Sequence, residues 1–158
     1  MRGLEGVTVA PTRTVLVPFA AASVATARRT LADDLSAHQL PRLTVEDAVL
    51  VLSELLSNAL KHARPLPSGR VEVRWSTRGS GIGSRVELAV VDGGAPTRPR
   101  PAAASLSATG GRGLGIVGDL ADDWGVLDEE GTTTVWAVVS GARRPVGAAG
   151  APGPRSYR

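Results

Sequence analysis

Cysteine is absent from the 158 residues. Structural disulfides, thiolate metal sites and cysteine nucleophiles are therefore excluded. Histidine occurs only at His38 and His62, which rules out a multi-histidine metal centre. Aromatic residues make up 3% of the chain, so a core must rest on Val, Leu and Ala. No aromatic platform offers itself for stacking nucleic-acid bases. Lys61 is the only lysine, and no run of Lys and Arg exceeds two residues. A net charge of +3 then reads as an arginine-rich composition and a basic tail, without a nucleic-acid footprint. No apolar run approaches the roughly 20 residues needed to cross a bilayer. The N-terminus has no signal-peptide core. A cytoplasmic protein is the expectation.

What is present is an ordinary globular composition, 42% hydrophobic and 21% charged, in a length that suits one domain. Residues 1–11 mix glycines and charges and read as a mobile leader, 12–140 as the domain, and 141–158 as a disordered basic tail. Val15-Leu16-Val17 is a short strand ended by Pro18. Val24, Ala27, Leu31 and Leu35 mark one face of a helix from Ala21 to about Ala37. Its polar side carries Arg28, Arg29, Asp33 and Asp34, read as solvent contacts. Arg70 to Thr77 and Arg85 to Val91 alternate as half-buried strands, joined by a glycine-serine hairpin loop. That loop resembles a phosphate loop only superficially, because no helix follows it. Trp124 to Val126 is a short strand, and Thr132 to Ser140 a longer one.

The longest helical pattern runs from about Thr44 to Ala63. Thr44 with Asp47 fits a capping box, and Pro65 and Pro67 stop the helix. Val45, Ala48, Val49, Leu52, Leu56, Ala59 and Ala63 form its apolar face. Glu54, Asn58, Lys61 and His62 share a polar stripe, flanked by Leu50 and Val51. Two readings of the stripe stand: a solvated surface, or the lining of a cleft.

Downstream, Asp92-Gly93-Gly94 closes a strand. It reads either as an ordinary turn or as a carboxylate at a ligand-binding strand end. Residues 97–109 form a long loop without periodicity. Gly110-Gly111-Arg112-Gly113-Leu114-Gly115 then opens a helix. Glycine-rich backbone entering a helix N-terminus favours phosphate, through bare amides and the helix dipole. A glycine hinge is the other reading.

The ordered set Glu54-x-x-x-Asn58-Ala59-x-Lys61-His62, Asp92-x-Gly94 and Gly111-x-Gly113-x-Gly115 resembles the N, G1 and G2 boxes of the GHKL ATPase superfamily. Single-domain length and the ending Gly131-Thr132-Thr133-Thr134-Val135-Trp136 look most like the anti-sigma-factor serine/threonine kinases. The resemblance covers roughly Val15 to Val139. It implies an α+β two-layer sandwich, with a mixed, mostly antiparallel sheet and helices on one face. It also implies ATP and magnesium (Mg2+) as cofactors. Glu54 matches the general base and Asn58 the magnesium-holding amide. Asp92 matches the acceptor of the adenine amino group, and Gly94 the position that lets the base approach. Gly111, Arg112, Gly113, Leu114 and Gly115 match the lid hinge and phosphate loop. Lys61 falls where a basic residue stands near the phosphates, His62 beside it, and Thr134 matches a threonine at the adenine end. The brief segment after Asp92 and the short lid depart from the elaborate forms of these boxes, which implies weak or partner-dependent nucleotide binding.

The implied partners are a sigma factor and an anti-sigma antagonist protein, with a homodimer as a further expectation. The implied activity is ATP-dependent phosphorylation of the antagonist. The alternative is a non-catalytic ATP-binding module that acts only by sequestering its partner. Nucleic-acid binding through Arg143, Arg144, Arg155 and Arg158 is the third function considered.

Overall fold

The computed structural model describes residues 11–95 and 111–141, with the side chains of 111–113 excepted. Residues 1–10 of the expected leader, the loop at 97–109 and residues 142–158 of the expected tail lie outside the described residues.

In chain order the elements are β1 (Arg13–Pro18), α1 (Ala22–Ala37), α2 (Arg42–His62), β2 (Arg70–Arg78), β3 (Arg85–Asp92), α3 (Gly111–Leu120), β4 (Asp123–Glu129) and β5 (Thr132–Ser140). The strands form one sheet in the order β1-β2-β3-β5-β4. Every pairing is antiparallel, so the sheet expected to be mostly antiparallel is so throughout its described strands. The helices pack on one face, giving a two-layer α+β architecture. No helix among the described residues is long and apolar enough to cross a membrane.

Strand alternation decides what each face carries. On the helix side, Val71, Val73 and Trp75 of β2 meet Val86, Leu88 and Val90 of β3, then Ala137 and Val139 of β5. α2 lies over this middle and buries Ala48, Val51, Leu52, Leu55, Leu56 and Ala59. α1 adds Ala27, Leu31 and Leu35, and α3 adds Leu114 and Val117. With so few aromatics, close-packed Val and Leu supply the core, and Trp75 is its largest fully buried side chain.

Four sequence expectations change. α2 begins at Arg42 with Pro41 as N-cap, and no side chain caps it. Thr44 lies inside the helix and is buried, so it cannot serve in a capping box. Its hydroxyl is placed against the end of β5, 3.2 Å from where a β-carbon on Gly141 would stand. Val51 is wholly buried in the core rather than flanking the polar stripe, whereas Leu50 is exposed. Asp34 is not a plain solvent contact, because it accepts from the Trp75 indole at 2.7 Å and pairs with Arg13 at 2.8 Å.

Candidate functional site

α2 carries Glu54 and Asn58 one turn apart, both half-buried. Neither side chain has a hydrogen-bond or ion-pair partner among the described residues. Lys61 and His62, in the last turn, are exposed. Lys61 borders a groove of about 450 Å³ with Phe19, Val24, Ser57 and Leu60, where the end of α2 meets the start of α1.

The chain leaves α2 in extended form at Ala63 and runs at once against the end of β3. The Gly93 amide donates to the Arg64 carbonyl at 2.7 Å, and the Arg64 amide donates to the Gly94 carbonyl at 2.9 Å. This reciprocal bridge ties the end of the Glu54 helix to the Asp92 loop. Two regions some thirty residues apart in the chain are thereby held in one place.

Asp92 ends β3 and is buried. The Gly94 amide donates to its Oδ1 at 2.8 Å, closing a tight turn in which Gly94 takes φ +87°. Burial pushes the Asp92 carboxyl from 3.8 up to about 6. The Gly94 amide pulls it down, and the neighbouring Asp128 carboxylate pushes it up again. A buried carboxylate at a strand end with a raised proton affinity is a candidate functional residue.

Pairing with β5 sets what stands beside it. Thr133 is the cross-strand partner of Asp92, and Thr134 is the partner of Val91. Alternation therefore puts Thr134 on the opposite face of the sheet from Asp92. Thr133, rather than the Thr134 of the sequence expectation, therefore shares the Asp92 face. Its hydroxyl donates to Asp128 of β4 at 2.7 Å. Three successive threonines look alike in sequence, and only the register separates them.

α3 begins at Gly111, so the glycine segment does enter a helix. The Leu114 side chain, expected in the phosphate loop, turns into the core instead. Leu114 can thus serve an anion only through its backbone. Gly115 is exposed, with open space where a side chain would stand. A shallow cavity of about 250 Å³ on the other face of the sheet, lined in part by Arg74, Glu87, Leu127 and Trp136, includes none of these residues.

The family model described as histidine kinase-like ATPase domain matches residues 17–139. The chain belongs to that family. The histidine kinase-like ATPase match spans every described element from the end of β1 through nearly all of β5. Among solved structures, the chain is similar to the RsbU and RsbW domains of Rv1364c from Mycobacterium tuberculosis, at 19% identity and a TM-score of 0.62. The alignment covers 83% of this chain and 32% of that one, so this chain spans about a third of its length. At that identity the likeness shows the fold. A comparison with curated proteins finds no match.

Sequence reasoning missed Thr133, Asp128 and the Arg64 bridge. Gly93 carried a signal for the bridge, since adjacent glycines at a strand end invite close backbone approach.

Proposed function

We propose that this histidine kinase-like domain binds ATP with magnesium and is a regulatory serine/threonine protein kinase. Its substrate would be an anti-sigma antagonist, and its other partner a sigma factor that it sequesters. The observation that carries the reading is the bridge through Arg64, which ties the end of the helix that carries half-buried Glu54 and Asn58 to the loop that follows buried Asp92.

Each residue has a role its chemistry suits. Asp92 accepts from the amino group of adenine, and its turn with Gly94 keeps the other carboxylate oxygen available. Asn58 offers an amide oxygen to magnesium, a hard cation that prefers oxygen. Among the described residues no group of three or more His, Asp or Glu could hold a metal, so phosphate and water oxygens would complete that shell. Glu54, one turn earlier, takes the proton from an acceptor hydroxyl as general base. Amides at the start of α3 receive phosphate oxygens, with Gly111 and Gly113 allowing their approach. Lys61 adds positive charge in the last turn of α2, with His62 beside it.

The test is calorimetric titration of ATP and ADP, with and without magnesium, into wild type and Asn58→Ala. Magnesium-dependent ATP binding that Asn58→Ala weakens is the expected result. Absence of ATP binding by the wild type would overturn the reading. Binding without transfer of phosphate to any antagonist would leave a module that acts by partner binding alone.

A further inference from the structure

The end of β4 brings a second acidic residue to the Asp92 corner. Asp128 is the cross-strand partner of Thr133, which is in turn the partner of Asp92. The three residues lie side by side on the helix face of neighbouring strands. The Thr133 hydroxyl donates to Asp128 Oδ1 at 2.7 Å. The same hydroxyl oxygen stands 3.9 Å from where a β-carbon on Gly94 would be, so it also faces the Asp92 turn.

A threonine hydroxyl has one hydrogen and two lone pairs. With its hydrogen given to Asp128, the Thr133 oxygen can only accept from a ligand. Asp92, as a carboxylate, can also only accept, and its Oδ1 already holds the Gly94 amide. Two acceptors together suit an exocyclic amino group. A purine carbonyl would bring lone pairs against lone pairs, and an unmatched polar contact of this kind discriminates strongly.

We propose that Asp128 is a positioning residue at the base end of the site: it fixes the Thr133 oxygen as an acceptor beside Asp92 and so selects a 6-amino purine over a 6-oxo purine. This rests on the reading that Asp92 receives the base. Asp128 does not touch the base; it acts through Thr133.

Calorimetry with magnesium ATP and magnesium inosine triphosphate tests this, on wild type, Asp128→Asn, Thr133→Val and the double variant. The side-chain amide that Asp128→Asn introduces can donate to the Thr133 oxygen, which frees the hydroxyl hydrogen to meet a carbonyl. The ATP preference should fall about fivefold to tenfold, one hydrogen bond's worth. Thr133→Val should lower it similarly, and the double variant should go no further, because the two residues act as one unit. Carbon-13 titration of Asp92 gives a second readout: removing the Asp128 charge should lower its pKa from about 6. An unchanged nucleotide preference in Asp128→Asn, with wild type still preferring ATP, overturns the Asp128 role alone. Wild type that binds neither nucleotide overturns the ATP reading and this inference together. Should Asp128→Asn fail to fold, Thr133→Val alters no charge and carries the same preference test.

Discussion

A β-carbon on Gly93 would stand 2.1 Å from the carbonyl oxygen of Pro65 and 3.1 Å from that of Arg64. The clash is with backbone on both counts, so no side chain can swing aside to relieve it. Gly93 is therefore glycine because the chain leaving α2 lies against it. The same contact forms the bridge that seats Asp92 beside the Glu54 helix. Gly93→Ala should destabilise the fold by about 1–3 kcal/mol or more, as other forced overpacking does. Nucleotide affinity should fall with it, because the two halves of the site separate. Gly115→Ala makes the contrast, since nothing stands within 4 Å of its added carbon. Alanine there should hold or raise stability by about 0.5–1 kcal/mol. Urea unfolding midpoints of the two variants check the pair.

Asp34 anchors α1 to the sheet through Trp75, and the variants at Asp34 should separate two effects. Asp34→Ala leaves the buried indole N–H without its acceptor, which costs about 1–3 kcal/mol. Asp34→Asn keeps an acceptor for the indole and loses mainly the charge pairing with the exposed Arg13. Such a pair contributes roughly 0–1 kcal/mol. The Arg13 guanidinium also lies 5.9 Å from the centre of the Trp75 ring, a contact that Asp34→Asn leaves in place. Denaturant titration should place Asp34→Ala clearly below Asp34→Asn. Equal losses would show that the ion pair, rather than the indole bond, holds the helix.

Periodicity alone predicts Thr132 to Ser140 as a strand, and β5 has those bounds. The alternation of Val71, Val73 and Trp75 likewise identifies the buried face of β2. These features are local and repeat at a fixed interval, which is why they can be read. Asp34 cannot be read this way, because its partner lies 41 residues on and becomes a neighbour only when α1 packs on the sheet. Thr44 misleads for a related reason: its hydroxyl matches a local capping pattern, while packing buries the side chain inside the helix beside the end of β5. The residue types at Glu54, Asn58 and Asp92 are legible from their spacing. The choice of Thr133 over Thr134 depends on strand register, which a run of like residues does not encode.

Glu54 and Asn58 should fail in different ways. On the proposed reading Asn58→Ala removes a metal ligand, so ATP affinity in magnesium should drop about tenfold while affinity without magnesium changes little. With Glu54 as the proposed base, Glu54→Ala leaves the nucleotide contacts, so binding should persist. Phosphate transfer to a cognate antagonist should fall by about 10²–10⁴-fold. Radiolabelled phosphate transfer measured beside calorimetry distinguishes the two. Full phosphorylation by Glu54→Ala would remove the base assignment.

The Asp92 carboxyl makes an unusual contribution to pH dependence, because its folded pKa lies at about 6, above the ordinary 3.8. Between those values the folded chain holds a proton that the unfolded chain has lost. The Asp92 contribution to stability therefore falls as pH rises from about 4 to about 6, opposite in sign to a carboxylate held in an ion pair. The stabilising contribution is complete below about pH 4 and gone above the folded pKa. Asp92→Asn mimics the protonated, uncharged form, so it should unfold at a higher temperature than wild type at about pH 7 and show a flatter profile between about pH 4 and 6. ATP binding should run the other way. On the proposed reading the ionised carboxylate accepts from the adenine amino group, so affinity should weaken as pH falls through about 6, and Asp92→Asn should bind ATP poorly at every pH. Thermal melts and calorimetry from about pH 4.5 to about pH 8 measure the two trends together. A stability of wild type relative to Asp92→Asn that rises with pH across this window would mean that Asp92 is paired in the folded chain rather than simply desolvated.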